Sequence, residues 1–490
     1  MSTLGQKLSV KEKIGYSLGD LAANLIFQTL MTFLAFFYTD VYKIPAAAAS
    51  VVIFVGGIFG AFFNIVMGAI ADRTETRWGK FRPWILWTSV PFGIISLLTF
   101  TTPDLGQNAK VVYAFTTYLL LVLIYSANNL PYSALSGVLT GDIKERNSLS
   151  AYRFVAVMIA QFIIQVLLLP MILILGDGDK AAGFKSAMTI FSITGIFFFI
   201  ITFLTTRERI IPAATQKTTI KGDITDLVKN LPWVVMLLVT ILVFVTLALK
   251  GGMYIYYFKY FLDEGSLIGF LDSIGFNAFI SRLNEILTGM GFVSFHWPED
   301  APTSAFSLFN AGGIIFMIIG ILFSKKLADK MGKRDVFGVF LFLSALSLIL
   351  FLFYSPNAIA LVFITQMAHG LFYGVTIPLL WAMIADVADY GEWKNHRRAT
   401  AIVFSAMIFG LKVGLSLGGA LITTLLATYG YTAEAAVQSA STIKGIQYSV
   451  SIFPGLIFVT ASFLLFKYEI NKNFELKIEK ELDERRKSVL

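Results

Sequence analysis

The segment GIFGAFFNIVMGAIADRTETRWGKFRPW, Gly57–Trp84, changes character in its middle. Up to Ala71 it is apolar enough for the hydrocarbon core of a bilayer, with Asn64 as the lone polar amide. From Asp72 onward it carries Arg73, Arg77, Lys80 and Arg82. A long apolar run that ends in a basic loop reads as a membrane-spanning helix arriving at the cytoplasmic face. The question is how many such runs the chain holds and what its few buried polar groups do.

Composition makes the same reading general. Of 490 residues, 56% are hydrophobic and 14% charged, against roughly 25% charged in soluble domains. The 46 phenylalanines cannot be hidden in a water-soluble fold of this length. The absence of cysteine excludes disulfides, thiolate metal sites and a cysteine nucleophile. His296, His369 and His396 are too dispersed for a metal site, so no metal and no cofactor is expected, and the chain does not read as an enzyme. Its net charge of +8 marks membrane orientation rather than nucleic-acid binding. The start, MSTLGQKLSVKEK, has no apolar run, so no cleavable leader is expected.

Apolar stretches near the ~20 residues that span a bilayer number twelve, at 16–41, 47–71, 84–102, 111–139, 149–175, 186–206, 231–257, 305–325, 335–354, 358–385, 401–428 and 446–467. Basic residues crowd alternate loops, among them Lys7/Lys11/Lys13, Arg73–Arg82, Lys144/Arg146, Arg207–Lys229, Lys325–Arg334 and Lys394–Arg398, and the tail. The positive-inside rule then places both termini in the cytoplasm of a multi-pass inner-membrane protein, expected to work as a monomer in the bilayer.

The expected fold is all-α, two pseudo-symmetric six-helix bundles. Residues 1–206 form the first and 231–467 the second, joined by a cytoplasmic linker at 207–230 and followed by a tail at 468–490. GAIADRTETRWGKFR after the second span and SKKLADKMGKRDVF after the eighth share Ala-Asp-basic followed by Gly-Lys. GDIKERNSLSAYR after the fourth and ADVADYGEWKNHRRATA after the tenth share acidic and basic clusters before a helix start. Repeats of this kind build secondary transporters with a midplane substrate site. Residues 258–304 are too polar to span and read as an external insertion with one amphipathic helix, Ile280, Leu283 and Leu287 lying on its apolar face. In the tail Ile470, Phe474, Ile478 and Leu482 recur every fourth residue, as in an amphipathic helix.

Polar groups inside spans face a cavity or a partner helix. Asp20, Asn24 and Gln28 lie four apart on one face of the first span. Asn64, then Ser126, Asn128 and Asn129, then Arg153, Gln161 and Gln165 follow in the next spans of the first half. The second half holds Lys250, Asn310, Gln366, His369, Tyr373, Trp381 and Lys412. Amides give paired donors and acceptors, arginine a rigid fork, and aromatic rings a flat face. That is chemistry for a hydroxyl-rich ligand, and it is equally the chemistry of interhelical hydrogen bonds. Asn24, Asn129, Arg153 and Lys412, with Tyr373 and Trp381, are the substrate candidates. His369 reads as a packing residue. Asp20 is either a proton carrier or the counter-charge of Arg153, the second being preferred. Acid and base groups of the cytoplasmic loops, Asp72, Arg73, Arg77, Lys80, Asp329, Lys330, Asp386 and Asp389, are candidate gates.

ADRTETRWGKFRPWIL, NLPYSALSGVLT, RNSLSAYRF, IADVADYGEWKNHRR with FGLKVGLS, KIGYSLGDLAANLIF and FFYTDVYKI together resemble the glycoside–pentoside–hexuronide:cation symporter family, the melibiose permease family of the major facilitator superfamily. The likeness covers nearly the whole chain outside 258–304. It implies import of a sugar, glycoside or uronide with a cation, Na+ or H+, by alternating access. It further implies that Arg153 and Lys412 are sugar-site cations and that Asn24 and Asn129 stand at acidic positions of the family. Ser133 stands where some members carry an aromatic ring. Sodium-coupled members resemble a pattern of two carboxylates four residues apart on helix two. Here those positions are Gly60 and Asn64, with Ser126 as the hydroxyl opposite. The usual sodium site is therefore expected to be degraded. Uncoupled facilitation, proton coupling through Asp20 and a non-transporting sugar sensor stay open as alternatives.

Overall fold

A computed structural model describes residues 7–140, 143–209, 229–290, 297–298, 300–395, 400–433, 435 and 437–489. Its elements, in chain order, are α1 (Val10–Phe36), α2 (Ala46–Asp72), α3 (Arg82–Thr99), α4 (Gln107–Leu139), α5 (Ile143–Phe162), α6 (Leu168–Leu175) and α7 (Lys180–Thr205). Then come α8 (Leu231–Tyr256), α9 (Glu264–Ser273), α10 (Phe276–Gly289), α11 (Ala301–Met331), α12 (Lys333–Leu350) and α13 (Ile359–Asn395). The last are α14 (Thr400–Thr428), α15 (Ala440–Val450), α16 (Ile452–Leu464) and α17 (Lys472–Val489). Single π-helical turns prolong α1 over Phe37–Val41 and α8 over Tyr257–Phe261, and join α5 to α6 over Ile163–Leu167.

Helix starts follow local capping chemistry. Ser9 accepts the amide of Glu12, Asp179 that of Ala181, Asn230 that of Trp233 and Ser439 that of Thr442, each relieving an orphan amide in a first turn. Eleven helical stretches among the described residues are long and apolar enough to cross a membrane. The expected span at 84–102 falls on α3, which is helical but opens with Arg82 and carries Pro83 and Pro91, residues that dilute its apolar character. The chain thus has the all-helical architecture anticipated, with eleven strong spans and a weaker one.

The helices divide into two units. The first comprises residues 1–215, 271–307 and 426–436, the second residues 216–270, 308–425 and 437–490. In the first unit α1 packs on α5 and α7, α3 on α4 and α7, and α2 on α4. Lipid offers no hydrophobic drive for helix association, so close approach depends on small residues. An ideal Cβ on Gly15 of α1 would sit 2.0 Å from the Thr205 hydroxyl of α7, and one on Gly19 would sit 2.5 Å from the Tyr132 ring of α4. Thr202 Oγ1 donates to the carbonyl of Gly15 at 2.8 Å, so the same glycine that allows the approach also accepts an interhelical bond.

In the second unit the contact is backbone to backbone. A Cβ on Gly374 of α13 would lie 2.1 Å from the Met317 carbonyl oxygen of α11, and one on Gly370 would lie 2.3 Å from that of Gly313. Along α14, Gly414 and Gly418 seat the carbonyls of Ile241 and Val245 of α8 in the same way, and Gly410 meets the Leu237 side chain. Gly374→Ala is expected to lower the melting temperature in detergent, the overpacking cost being about 1–3 kcal/mol. Gly338→Ala, whose Cβ would meet only Leu465 at 3.6 Å, leaves the melting temperature unchanged.

Outside the spans, residues 258–261 continue α8 and 301–304 begin α11, so the insertion is shorter than 258–304 at both ends. Its described residues hold two helices, α9 and α10, where one was expected. No residue of α10 is buried, and Phe279 and Ile286 on it are about three-fifths exposed, at 61% and 59%. At the other end of the chain, Ile470, Ile478 and Leu482 are buried, and Phe474 packs beside them, against a core that includes Trp233, Phe337, Met383 and Phe458.

Candidate functional site

The first unit brings Asp20, Asn24 and Arg153 together. Asp20 is 4% exposed on α1, and its Oδ2 accepts a hydrogen bond from Arg153 Nε of α5. Asn24, one turn on and half-buried, donates to the carbonyl of Asp20 at 2.9 Å. The Arg153 guanidinium also lies 5.6 Å from the centroid of Tyr16 and 5.4 Å from that of Tyr132. These two rings stack at 4.5 Å with planes 10° apart. Each tyrosine hydroxyl donates to the other residue's carbonyl oxygen at 2.8 Å. α1 and α4 are thereby fastened by a reciprocal bond that leaves both phenols satisfied.

The ion pair is the alternative preferred for Asp20. It makes the cluster electrically neutral, since one buried carboxylate offsets one half-buried guanidinium. Arg153 spends Nε on Asp20 while its side chain stays 28% exposed. The two Nη groups have no hydrogen bond to the protein among the described residues, and they form the fork that suits oxygen pairs. Asn129 is half-buried on α4, just past the buried Asn128, whose amide donates to Thr88 Oγ1 of α3 at 2.8 Å.

The helix-two positions are shaped by packing. Gly56, Gly60, Asn64 and Gly68 recur every fourth residue along the face of α2 that meets α4. A Cβ at Gly60 would lie 1.9 Å from Val122 Cγ1. Side-chain space at Gly60, where the resemblance implies a carboxylate, is therefore filled by valine. Ser126, one turn beyond Val122, is 1% exposed and donates to the Val122 carbonyl at 2.8 Å. Asn64 is half-buried.

The second unit holds a pair that residue-by-residue reading does not find. Lys250 Nζ of α8 is 2.8 Å from His369 Nε2 of α13. Tyr373, expected as a substrate aromatic, stacks on His369 at 6.2 Å and on Phe458 at 6.1 Å. A sequence signal existed: Gln366, His369 and Tyr373 share one helical face, and Lys250 is the sole charged residue of its span. His369, read as a packing residue, thus also meets Lys250. Lys412 is half-buried on α14, and Trp381 on α13 is 39% exposed.

The loop residues act chiefly as braces within each unit. In the first, Glu208, which no sequence pattern singles out, accepts the amides of Lys80, Phe81 and Arg82 at 2.8–2.9 Å, capping α3 from the end of α7. Arg82 donates to the carbonyls of Trp78 and Phe203, Arg77 lies over the Trp78 ring and Lys80 over the Phe81 ring. Arg73 is exposed, and the Asp72 side chain lies outside the described residues. Glu12 holds Arg209 through both carboxylate oxygens, and that hydrogen bonding raises the Arg209 pKa above its ordinary value. In the second unit Lys333, rather than Lys330, is the base that pairs, bridging Asp386 at 2.7 Å and Glu475 at 2.8 Å. Lys472 donates to the carbonyls of Asp329 and Lys330, so the tail helix ties down the α11–α12 turn. Asp389 is half-buried near Asp386 on α13.

Glu208→Gln is expected to destabilise the first unit by about 1–3 kcal/mol. The charge at the N-terminus of α3 is lost, and an amide offers one acceptor oxygen where the carboxylate offers two. A melting curve of the purified variant checks this, with Arg73→Gln as the neutral comparison.

The sequence profile of MFS/sugar transport proteins matches residues 15–284 and 301–472. The chain is 34% identical to the inner membrane symporter YicJ of Escherichia coli, over 94% of this chain and 92% of that one. It is 30% identical to the isoprimeverose transporter of Lactiplantibacillus pentosus, over 94% of this chain and 89% of that one. Among solved structures, a D-xylose–proton symporter superposes with a TM-score of 0.58 at 11% identity, covering 94% of this chain and 97% of that one, a likeness of fold.

Proposed function

The chain belongs to the MFS/sugar transport protein family, and from that premise we propose that it carries a neutral sugar or glycoside across the inner membrane by alternating access, both termini in the cytoplasm. The observation that supports this most directly is the Asp20–Arg153 pair, a charge-neutral group inside a membrane-spanning bundle that still presents two Nη donors. A buried ion pair is a weak stabiliser, so its presence argues for use. Asn24 and Asn129 would add amide donors and acceptors in the first unit. Within the second unit, Lys412, Tyr373 and Trp381 are the candidates.

The family, whose relatives are named as symporters, favours coupling to a cation. Gly60 and Val122 speak against sodium at the helix-two position, and the engagement of Asp20 with Arg153 speaks against Asp20 as the proton carrier. The test is counterflow of labelled isoprimeverose, D-xylose, melibiose and a glucuronide in proteoliposomes. Exchange of at least one neutral member, lost in Arg153→Gln, is expected. Binding without exchange would make the protein a sensor, and exchange of the glucuronide alone would overturn the neutral-substrate reading.

A further inference from the structure

We propose that Lys250 and His369 form a proton-binding pair in the second unit, through which a proton enters the transport cycle; this rests on the transporter reading above. The geometry fixes the tautomer. His369 Nδ1 is 3.2 Å from the carbonyl oxygen of Ser344, an atom that only accepts, so Nδ1 carries the hydrogen. Nε2 then presents a lone pair, and Lys250 Nζ, 2.8 Å away, donates to it. The pair thus shares a single positive charge. It is closed off: Lys250 is 9% exposed and His369 1%.

Among the described residues, the helices packed around the pair supply no anion. α8 carries no ionisable side chain but Lys250 and its tyrosines, Tyr254 lying under the ammonium at 5.7 Å and donating its hydroxyl to Gln366 Oε1 at 3.4 Å. From α13 come Gln366, His369 and Tyr373; Asp386 is 17 positions further on, roughly 25 Å along a helix. α12 has no ionisable residue after Asp335, α16 none at all, and α11 none before Lys325. α15 offers Lys444 and Tyr448, and α14, which packs on α8 through its glycines, offers Lys412. Every ionisable group on these faces is a base or a phenol. A structural lysine in a membrane bundle is expected beside a carboxylate or a backbone carbonyl. A lysine held by a neutral imidazole has a different use, because the pair can lose its one proton without stranding a partner charge. When the cycle opens the pair to water, the Lys250 ammonium gives its proton to a water molecule, leaving a neutral amine and a neutral imidazole.

The experiment compares two transport modes in proteoliposomes with labelled isoprimeverose as probe. Under an inward proton gradient the wild type is expected to accumulate the sugar, and Lys250→Met and His369→Gln to lose that accumulation by about tenfold or more while keeping counterflow. Gradient-driven accumulation that persists in both variants, or that is absent from a wild type competent in counterflow, overturns the proposal and leaves the transporter reading intact. A second measurement needs no substrate. With 15N-histidine labelling the chain contributes three imidazoles, and the one whose signal is missing from His369→Gln belongs to the pair. That signal is expected to shift between about pH 5 and 8. A signal unmoved across that range makes the pair a fixed structural contact.

Discussion

Asp20→Asn is expected to abolish sugar exchange and to lower the melting temperature more than any other single change in the first unit. The substitution leaves the Arg153 guanidinium in a membrane-spanning bundle without its counter-charge. Removing one member of a buried pair costs about 3–5 kcal/mol. The faces of Tyr16 and Tyr132 recover on the order of 2 kcal/mol of that at most. Arg153→Gln has the mirror effect, stranding a carboxylate that is 4% exposed. The double variant Asp20→Asn with Arg153→Gln puts two neutral amides in the same space, free to bond to one another, and is expected to regain most of the lost stability. It regains no transport, because the fork that would hold the sugar oxygens is gone. Thermal melts of the three variants with counterflow on the same preparations check both halves. A double variant no more stable than the singles, or an Asp20→Asn protein that exchanges sugar normally, contradicts the pairing argument.

What the sequence makes legible follows the range of the interactions. Spacing of four along α1 places Asp20 and Asn24 on one face, and the scarcity of buried anions makes Asp20 the natural partner of Arg153. Both are local facts plus one inference about charge. Lys250 and His369 are visible singly, but they are 119 residues apart, and nothing in either helix says that the two meet. Glu208 is a lone acid after a span, and its three amide contacts depend on a turn at Gly79 with φ 110° that brings its loop against the carboxylate. The α3 span is the weakest because Arg82, spent on carbonyls of Trp78 and Phe203, sits within the helix that a count of apolar residues must recognise. Gly60 is the most telling case. Aligned with a family pattern it reads as a missing acid. In three dimensions it is a contact surface, and its lack of a side chain has a packing reason of its own.

That reason sets the second large effect. Sugar uptake is expected to be the same in sodium and in choline media, and a sodium-stimulated rate is expected to require three changes together. A hard cation needs oxygen ligands and a compensating charge. Gly60→Asp alone drives a Cβ to within 1.9 Å of Val122 Cγ1, and a β-branched side chain has few rotamers with which to retreat. The single variant is therefore expected to lose about 1–3 kcal/mol of stability and to gain no sodium dependence. Val122→Ala removes the obstructing methyl groups, and Asn64→Asp, one turn below, converts an amide carbonyl into a second carboxylate. Only the combination of Gly60→Asp, Asn64→Asp and Val122→Ala restores both the space and the charge, and in it sodium is expected to raise uptake several-fold and to raise the melting temperature, as any ligand specific to the folded state does. Strong sodium stimulation of the wild type would show that the cation binds elsewhere on this chain, and a triple variant indifferent to sodium would show that packing at Gly60 is not what closed the site.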